Sequence, residues 1–343
     1  MTVEEIRSAQ AVRGSEEPSY DVVVIGGGAA GLAGALALGR ARRSVLVVDA
    51  GRPRNAPAAA SHNYLTRDGA SPAELLAAGR AEVARYGGEV VRGEAVAAVP
   101  VAGGGFRVSL GDGAAVRARR LLVTTGLVDE LPDVPGLAER WGRDVLHCPY
   151  CHGYEVRDQA IGVLSTGPMA VRQALLWRQW SADVRLFLHS GAEPSDEQYE
   201  QLAARGIAVV DGEVTGFSVA GDDRLAGVVL DGGKVVPCEA LVVAPRFGVR
   251  AEVIDSLGLE VADRIAEDGS VLGGHVVARS GGATGVPGVW AAGNVADPMA
   301  KVAGAAAMGV QAGVEINFDL VEEETRRAVR ERERKGERER EVA

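Results

Sequence analysis

Cysteine is scarce in this chain, with three among 343 residues. That is too few to staple a fold, so a hydrophobic core must hold it together. Long apolar runs are missing as well, and no stretch approaches the ~20 uninterrupted apolar residues of a bilayer-spanning helix. Aromatic residues make up only 4% of the chain, which leaves no stacking stripe for single-stranded nucleic acid. Positive charge is in deficit: 37 Lys and Arg stand against 47 Asp and Glu, a net charge of -10. Such a surface repels polyphosphate backbones. The opening segment MTVEEIRSAQAVRGSEEPSY has neither the basic start nor the apolar centre of a secretion signal. Residues 1–19 read as a polar lead-in to a cytoplasmic protein. The expected partner is a small molecule, with no nucleic acid and no membrane involved.

What is present is an ordinary globular composition, 47% hydrophobic and 24% charged, at a length that suggests two domains. The most ordered signal begins at Asp21. The run Asp-Val-Val-Val-Ile is rich in β-branched residues and leads into GGGAAG at 26–31 and a helical pattern through Arg40. This is strand, glycine turn, helix. A second apolar run, Val45 to Val48, ends in Asp49, 23 residues after Gly26, near the distance at which an acid meets a ribose 2'-hydroxyl. Gly26 allows a sharp turn, Gly28 lets main-chain N–H groups approach a pyrophosphate, and Gly31 lets the helix pack on the strand. The pattern predicts a dinucleotide site without separating FAD from NAD.

An amphipathic helix is expected over Ala73 to Tyr86, and short strands alternate with turns from 89 to 124, ending in LLVTTG at 121–126. A second strand, turn and helix starts at Ala160: IGVL, then STGPMA at 165–170, then Val171 to Trp180, then VRLFL at 184–188. Aligned on the first unit, Ser165 replaces Gly26, Gly167 matches Gly28, Ala170 replaces Gly31, and Leu188 stands where the acid belongs. Pro168 removes a turn N–H, and HSGAEPS brings no arginine to grip a 2'-phosphate. Nicotinamide-nucleotide binding is therefore expected to be weak or absent.

Between the two units lies His147-Cys148-Pro149-Tyr150-Cys151-His152-Gly153. Closing so short a loop with a disulfide contributes only about 2 kcal/mol, so a structural role is small. Zinc is the next alternative, but half a site is visible and Cys238 stands alone elsewhere, so no metal is expected. A redox pair fits better, with His152 able to take or return a thiol proton and His147 as a second-choice base. His62, His189 and His275 read as solvated or structural residues, Cys238 as a buried small hydrophobe, and Trp177 with Trp180 as core or dimer surface. Near the end, VWAAGNVADP at 289–298 is strand and glycine turn, followed by a helical pattern from Val302 to Asn317 whose N-terminus can face an anion. The tail from Glu322 carries 8 basic and 8 acidic residues, the pattern of a solvated helix or a disordered segment.

Taken in order, GGGAAG, Asp49, TTG, CPYCHG and AAGNV resemble the low-molecular-weight thioredoxin reductases from about Tyr20 to Leu320. The resemblance implies an α/β fold of two doubly wound Rossmann-like domains. Residues 20–130 and 252–320 would form a discontinuous FAD-binding domain, 131–251 an inserted NADPH-type domain carrying the CxxC pair, and 321–343 a charged tail. It also implies a homodimer. FAD would lie against Gly26, Gly28, Ala29, Ala30, Gly31, Asp49, Thr125, Gly126, Gly293, Asn294, Val302 and Ala303. Asn294 replaces the reductase aspartate at the flavin ribityl chain, and Val302 replaces a glutamine beside the flavin.

Within that family the chain is similar to the FAD-dependent dithiol oxidases that form disulfides in gliotoxin, holomycin and romidepsin, where Cys-Pro-x-Cys-His stands in place of Cys-x-x-Cys-Asp. The function so implied is oxidation of a small-molecule dithiol through Cys148, Cys151 and His152, with O2 reduced to hydrogen peroxide. The alternatives are an NADPH-dependent disulfide reductase and, in another class, a flavin protein that senses redox state or sequesters thiols without turnover.

Overall fold

The computed structural model describes residues 17–266 and 269–342; most of the polar lead-in, 1–16, lies outside the described residues. Strand β1 (Ser19–Ile25) runs into helix α1 (Ala29–Arg40) and then strand β2 (Val45–Asp49). After a long connection come α2 (Pro72–Arg85) and strands β3 (Glu89–Arg92), β4 (Ala95–Pro100), β5 (Phe106–Leu110) and β6 (Ala115–Val123). Helix α2 starts one residue earlier than its apolar pattern suggests. Ser71 accepts from the Glu74 N–H, the Glu74 carboxylate accepts from the Ser71 N–H, and Pro72 takes the first helical position. That reciprocal cap with a leading proline sets the boundary.

These strands form a seven-stranded sheet in the order β3-β2-β1-β6-β5-β4, with a late strand added beside β6. Residues 22–25 of β1 and 45–48 of β2 are continuously apolar because the sheet is covered on both faces. Val22, Val24, Val45 and Val47 face one core, Val23, Ile25, Leu46 and Val48 the other.

From this sheet the chain leaves through strand β7 (Val128–Glu130) and returns through a later antiparallel partner at Arg246–Gly248. Between them lie α3 (Leu137–Arg140), strand β8 (Val145–Leu146), α4 (Pro149–His152), strand β9 (Ile161–Leu164), α5 (Ala170–Trp177), strand β10 (Val184–Phe187), α6 (Asp196–Ala204) and strand β11 (Ala208–Val210). An antiparallel three-stranded sheet follows, β12 (Val214–Val219), β13 (Leu225–Leu230) and β14 (Val235–Pro237), and then β15 (Ala240–Val242) closes the unit. The parallel sheet of this insertion has the order β11-β10-β9-β15-β8. The fold is thus α/β, two doubly wound Rossmann-like units, one inserted in the other. Observed α5 ends at Trp177 where the sequence pattern continues to Trp180. Trp177 is fully buried, and the half-buried Trp180 ring sits 6.0 Å from it.

The returning strand β16 (Arg246–Gly248) leads to α7 (Ala251–Leu257), a hairpin of β17 (Val261–Ile265) and β18 (Val271–Val276), and β19 (Val289–Ala291), which pairs with β6 in the first sheet. The last element, α8 (Val302–Val342), is one helix of 41 residues. It crosses α1 closely because small residues face each other: a Cβ on Gly309 would stand 2.0 Å from the Ala30 carbonyl oxygen. The charged tail from 321 onward, read from its alternating signs as a solvated helix or a disordered segment, is helical and continuous with α8. The helix continues unbroken across that point, and its first acids are anchored: Glu324 pairs with Arg43 and Arg119, and Glu323 with Arg119 and Arg120. Opposite charges at half-buried positions extend the helix past its apolar pattern. Among the described residues no helix is long and apolar enough to cross a membrane.

Candidate active site

One cleft of about 1210 Å3 runs between the outer unit and the insertion, and it is lined both by the Gly26–Gly31 turn and by Cys148, Cys151 and His152. Distant stretches of sequence are thereby brought to a single space. Its volume exceeds the roughly 300–1,000 Å3 of ordinary small-ligand pockets and has room for a dinucleotide together with a second reactant.

At the turn, each glycine has a different physical reason. Gly26 has φ +112°, and a Cβ there would lie 2.3 Å from the Thr124 carbonyl oxygen. On Gly31 a Cβ would lie 1.9 Å from the Gly26 oxygen, so helix and turn touch through backbone. Gly28 has nothing within 4 Å, so its open side is the cleft itself. Gly27, which the sequence pattern does not single out, is needed too, since a Cβ there would meet the Asp49 carboxyl carbon at 2.5 Å. The Thr124 hydroxyl lies 2.8 Å from the Gly26 oxygen and 3.1 Å from the Ile25 oxygen, tying β6 to the turn. Asp49 accepts from the Gly51 N–H at 2.8 Å, and its other oxygen is 3.9 Å from Arg80.

The remaining predicted contacts also line this cleft: Ala29, Ala30, Thr125, Gly126, Gly293, Asn294, Val302 and Ala303. No side chain caps α1 at Gly28, so its first-turn N–H groups are left to an anion. The Thr125 hydroxyl is buried without a partner, as expected of a group that meets a polar ligand. Asn294 behaves differently from a flavin contact made through its N–H groups. Its side-chain nitrogen is committed to the carbonyls of Asp297, Pro298 and Ala300, at 3.2, 3.2 and 2.8 Å. Only its oxygen is left for another molecule.

Cys148 and Cys151 are joined as a disulfide. Cys148 stands at the N-cap of the single-turn α4, Pro149 takes the first helical position, and the Cys148 carbonyl accepts from the N–H groups of Cys151 and His152, both at 3.1 Å. The tight turn carries Cys148, Cys151 and His152 within a single helical turn. Gly153 then ends it close to Trp180, where a Cβ would come within 2.9 Å of the indole. That indole meets the Tyr150 ring edge-on at 5.5 Å, and the Lys301 ammonium lies 5.2 Å from the same ring.

Two histidines flank the disulfide in different states. His147 is half-buried, and its Nδ1 lies 3.2 Å from the Val243 carbonyl oxygen. A carbonyl only accepts, so Nδ1 carries the proton and Nε2 is the free base of the neutral ring. Burial chiefly, then the Arg54 guanidinium, hold its pKa below the ordinary imidazole value. Arg54 itself is held by Asp129 at 2.8 and 2.6 Å and covers the Phe247 ring. His152 is half-buried, and desolvation lowers its pKa as well; Glu155 opposes that shift and His62 adds to it.

His62, read from the sequence as a solvated or structural residue, has partners on both ring nitrogens. It lines the same cleft, with Nδ1 3.3 Å from Asp68 and Nε2 3.3 Å from Glu155. Its neighbour Asn63 donates to the Tyr150 carbonyl inside the CPYC turn. Their separation of 87 residues from that turn leaves no spacing signal in the sequence. The expectations for Cys238 and His189 hold as well. Cys238 is fully buried and its thiol is pushed up to about 12 by desolvation, while His189 accepts from the Val214 N–H at 3.1 Å as a structural residue. Among the described residues no group of three or more His, Cys, Asp or Glu is placed to hold a metal ion.

Comparison with known proteins agrees with this geometry. The chain is 33% identical to a thioredoxin reductase, sirT, of Leptosphaeria maculans over 317 residues, 88% of this chain and 94% of that protein. It is 37% identical to a thioredoxin reductase, tcpT, of Claviceps purpurea (strain 20.1) over 252 residues, 70% and 78% of the two chains. The crystal structure of HlmI superposes with a TM-score of 0.83 at 48% identity, covering 91% of this chain and 96% of that one. The resemblance to thioredoxin reductase-like enzymes drawn from CPYCHG and its companions therefore holds. Residues 20–309 match the profile of the pyridine nucleotide-disulphide oxidoreductases, and the chain belongs to that family of FAD-binding oxidoreductases.

Proposed function

We propose that this protein is an FAD-dependent dithiol oxidase that forms a disulfide in a small-molecule dithiol and passes the electrons to O2, giving hydrogen peroxide. The carrying observation is a contrast between its two nucleotide turns. The first is open on the cleft that also holds the Cys148–Cys151 disulfide. At the second, Ser165 is 3% exposed and packs so tightly on Gly191 that a Cβ there would lie 1.9 Å from the serine hydroxyl. Leu188, at the position of the ribose-binding acid, is 7% exposed, and His189 is committed to Val214. A nicotinamide nucleotide would have to be gripped without these handles, so electrons enter as thiols.

The chain's own residues then have these roles. A substrate thiolate bonds to the Cys148 sulfur, the Cys148–Cys151 bond breaks, and Cys151 keeps the electron pair. The second substrate thiol displaces Cys148, and the substrate leaves oxidised while the protein holds a dithiol. His152 accepts the thiol protons and returns them to the cysteine thiolates; its lowered pKa keeps it neutral and receptive near pH 7. Gly28, the first-turn N–H groups of α1, Thr125 and the start of α8, which line the cleft, would hold the FAD. When bound, FAD supplies the two-electron acceptor that returns the cysteines to a disulfide and is itself reoxidised by O2.

The test is an anaerobic cuvette in which the yellow flavin band is followed on addition of dithiothreitol or NADPH. Bleaching by the dithiol, abolished in Cys151→Ser and slowed near neutral pH in His152→Ala, is the expected result. On admitting air, peroxide should appear in proportion to oxygen consumed. Rapid bleaching by NADPH would instead establish a disulfide reductase, the second reading, which the names of the sirT and tcpT relatives favour.

A further inference from the structure

We propose that His62 and Glu155 are positioning residues for His152, jointly setting the pH at which its ring accepts a thiol proton. The inference rests on the dithiol-oxidase reading and extends it to residues from both units. His62 is carried by the connection between β2 and α2, whereas Glu155 follows His152 by three residues in the insertion. Both ring nitrogens of His62 face carboxylates, Asp68 on its own segment and Glu155 in the insertion, each at 3.3 Å. Asp68 is oriented in turn by the Asn63 N–H at 2.8 Å. The same segment grips the CPYC turn a second time, through the Asn63 amide on the Tyr150 carbonyl.

A base that takes a proton and hands it back needs an affinity matched to the working pH. Burial alone makes His152 a weak base. Glu155, three residues on in the same turn, draws it back up, and His62, whose Nε2 lies 3.3 Å from that same carboxylate, pushes it down. The other titratable and charged groups around this end of the cleft are His147, with Arg54 and Asp129 acting on it, and Lys301 over the Tyr150 ring. Because the bridge joins two units, this tuning exists only while the cysteine turn is docked on the outer unit. The protons balance: each substrate thiol gives one to His152 as its sulfur forms a bond, and each cysteine thiolate recovers one, so the substrate loses two hydrogens and the cysteine pair gains two.

The experiment uses flavin-loaded full-length enzyme, mixed anaerobically with dithiothreitol in a stopped-flow instrument across roughly pH 5–9. The wild-type rate should rise with pH as His152 becomes neutral. In His62→Asn the midpoint of that limb should move to higher pH, because an influence that lowers the His152 affinity is gone. In Glu155→Gln it should move to lower pH. A shift of about half a unit corresponds to roughly threefold in rate on the acid limb. A structural role moves both variants alike or scales the rate equally at every pH, and either result overturns the proposal. Should His62→Asn lose its flavin, His62→Gln supplies the same arm. A wild type that dithiothreitol fails to bleach at any pH overturns the oxidase reading and this inference together; a bleached wild type with unmoved midpoints overturns this inference alone.

Discussion

Replacing Gly28 and Gly31 by alanine separates folding from cofactor binding, because the same added methyl group meets different surroundings. At Gly28 the backbone is extended, φ -77° and ψ -173°, and no protein atom lies within 4 Å of the new Cβ. Reduced freedom of the unfolded chain stabilises by about 0.4–1 kcal/mol, and alanine is a poorer N-cap than glycine by a similar amount. The apoprotein melting temperature should therefore stay within about 2 °C. The methyl group does occupy the space assigned to the pyrophosphate. Overpacking of that kind costs about 1–3 kcal/mol, which weakens FAD binding by roughly 5- to 150-fold. At Gly31 the new Cβ would lie 1.9 Å from the Gly26 oxygen and 2.7 Å from the Thr124 hydroxyl. Backbone cannot rotate away, so the loss is about 3 kcal/mol or more, a fall of roughly 6–12 °C in a domain of this size. Titration of deflavinated protein with FAD, read by quenching of flavin fluorescence, and thermal scans of the apoprotein measure both quantities. A Gly28→Ala protein that binds FAD within twofold of wild type, or a Gly31→Ala apoprotein that melts normally, would refute this account of the turn.

Asn294→Asp, which restores the reductase residue, should weaken the protein, because a carboxylate would face the three carbonyls of Asp297, Pro298 and Ala300; protease nicking at 297–300 reports the released loop. For His147 the sign runs toward acid: its folded pKa lies below the ordinary 6.5, so protonation opposes folding and stability is lost as pH falls through and below about 6.5. In thermal scans, His147→Gln, which keeps a donor for Val243, should lose less stability than wild type between neutral and acidic pH. Truncation after Leu320 should destabilise by on the order of 2 kcal/mol, between exposed and buried ion-pair values, because it removes the carboxylates of Glu323 and Glu324 from Arg43 and Arg119. Truncation after Arg327 keeps those pairs and should leave the melting temperature unchanged.

Much of the site was legible because its parts are local. A turn that needs glycine at Gly26 and Gly31 announces itself by composition, and a cysteine pair closed by one helical turn needs only neighbours in the chain. Fine boundaries were less legible. The capping box at Ser71 and Glu74 shifted the start of α2, and ion pairs to Arg43, Arg119 and Arg120 carried α8 into what read as a solvated helix or a disordered segment. Gly27 was passed over because its constraint is a contact with the Asp49 side chain, not a demand of its own backbone.

The order of strand, glycine turn, helix and acid, and the decay of those features in the second unit, were determined by the sequence alone, since backbone sterics and short-range spacing decide them. That His62 joins the two histidines of the cysteine motif was decided only by the tertiary structure. His62 reaches Glu155 because the β2–α2 connection folds over the cysteine turn, and His147 becomes a neutral ring with a chosen tautomer because packing sets its Nδ1 against the Val243 carbonyl. Protonation depends on the field and solvent at a point in space, and that point is assembled from segments whose distance along the chain carries no trace of it.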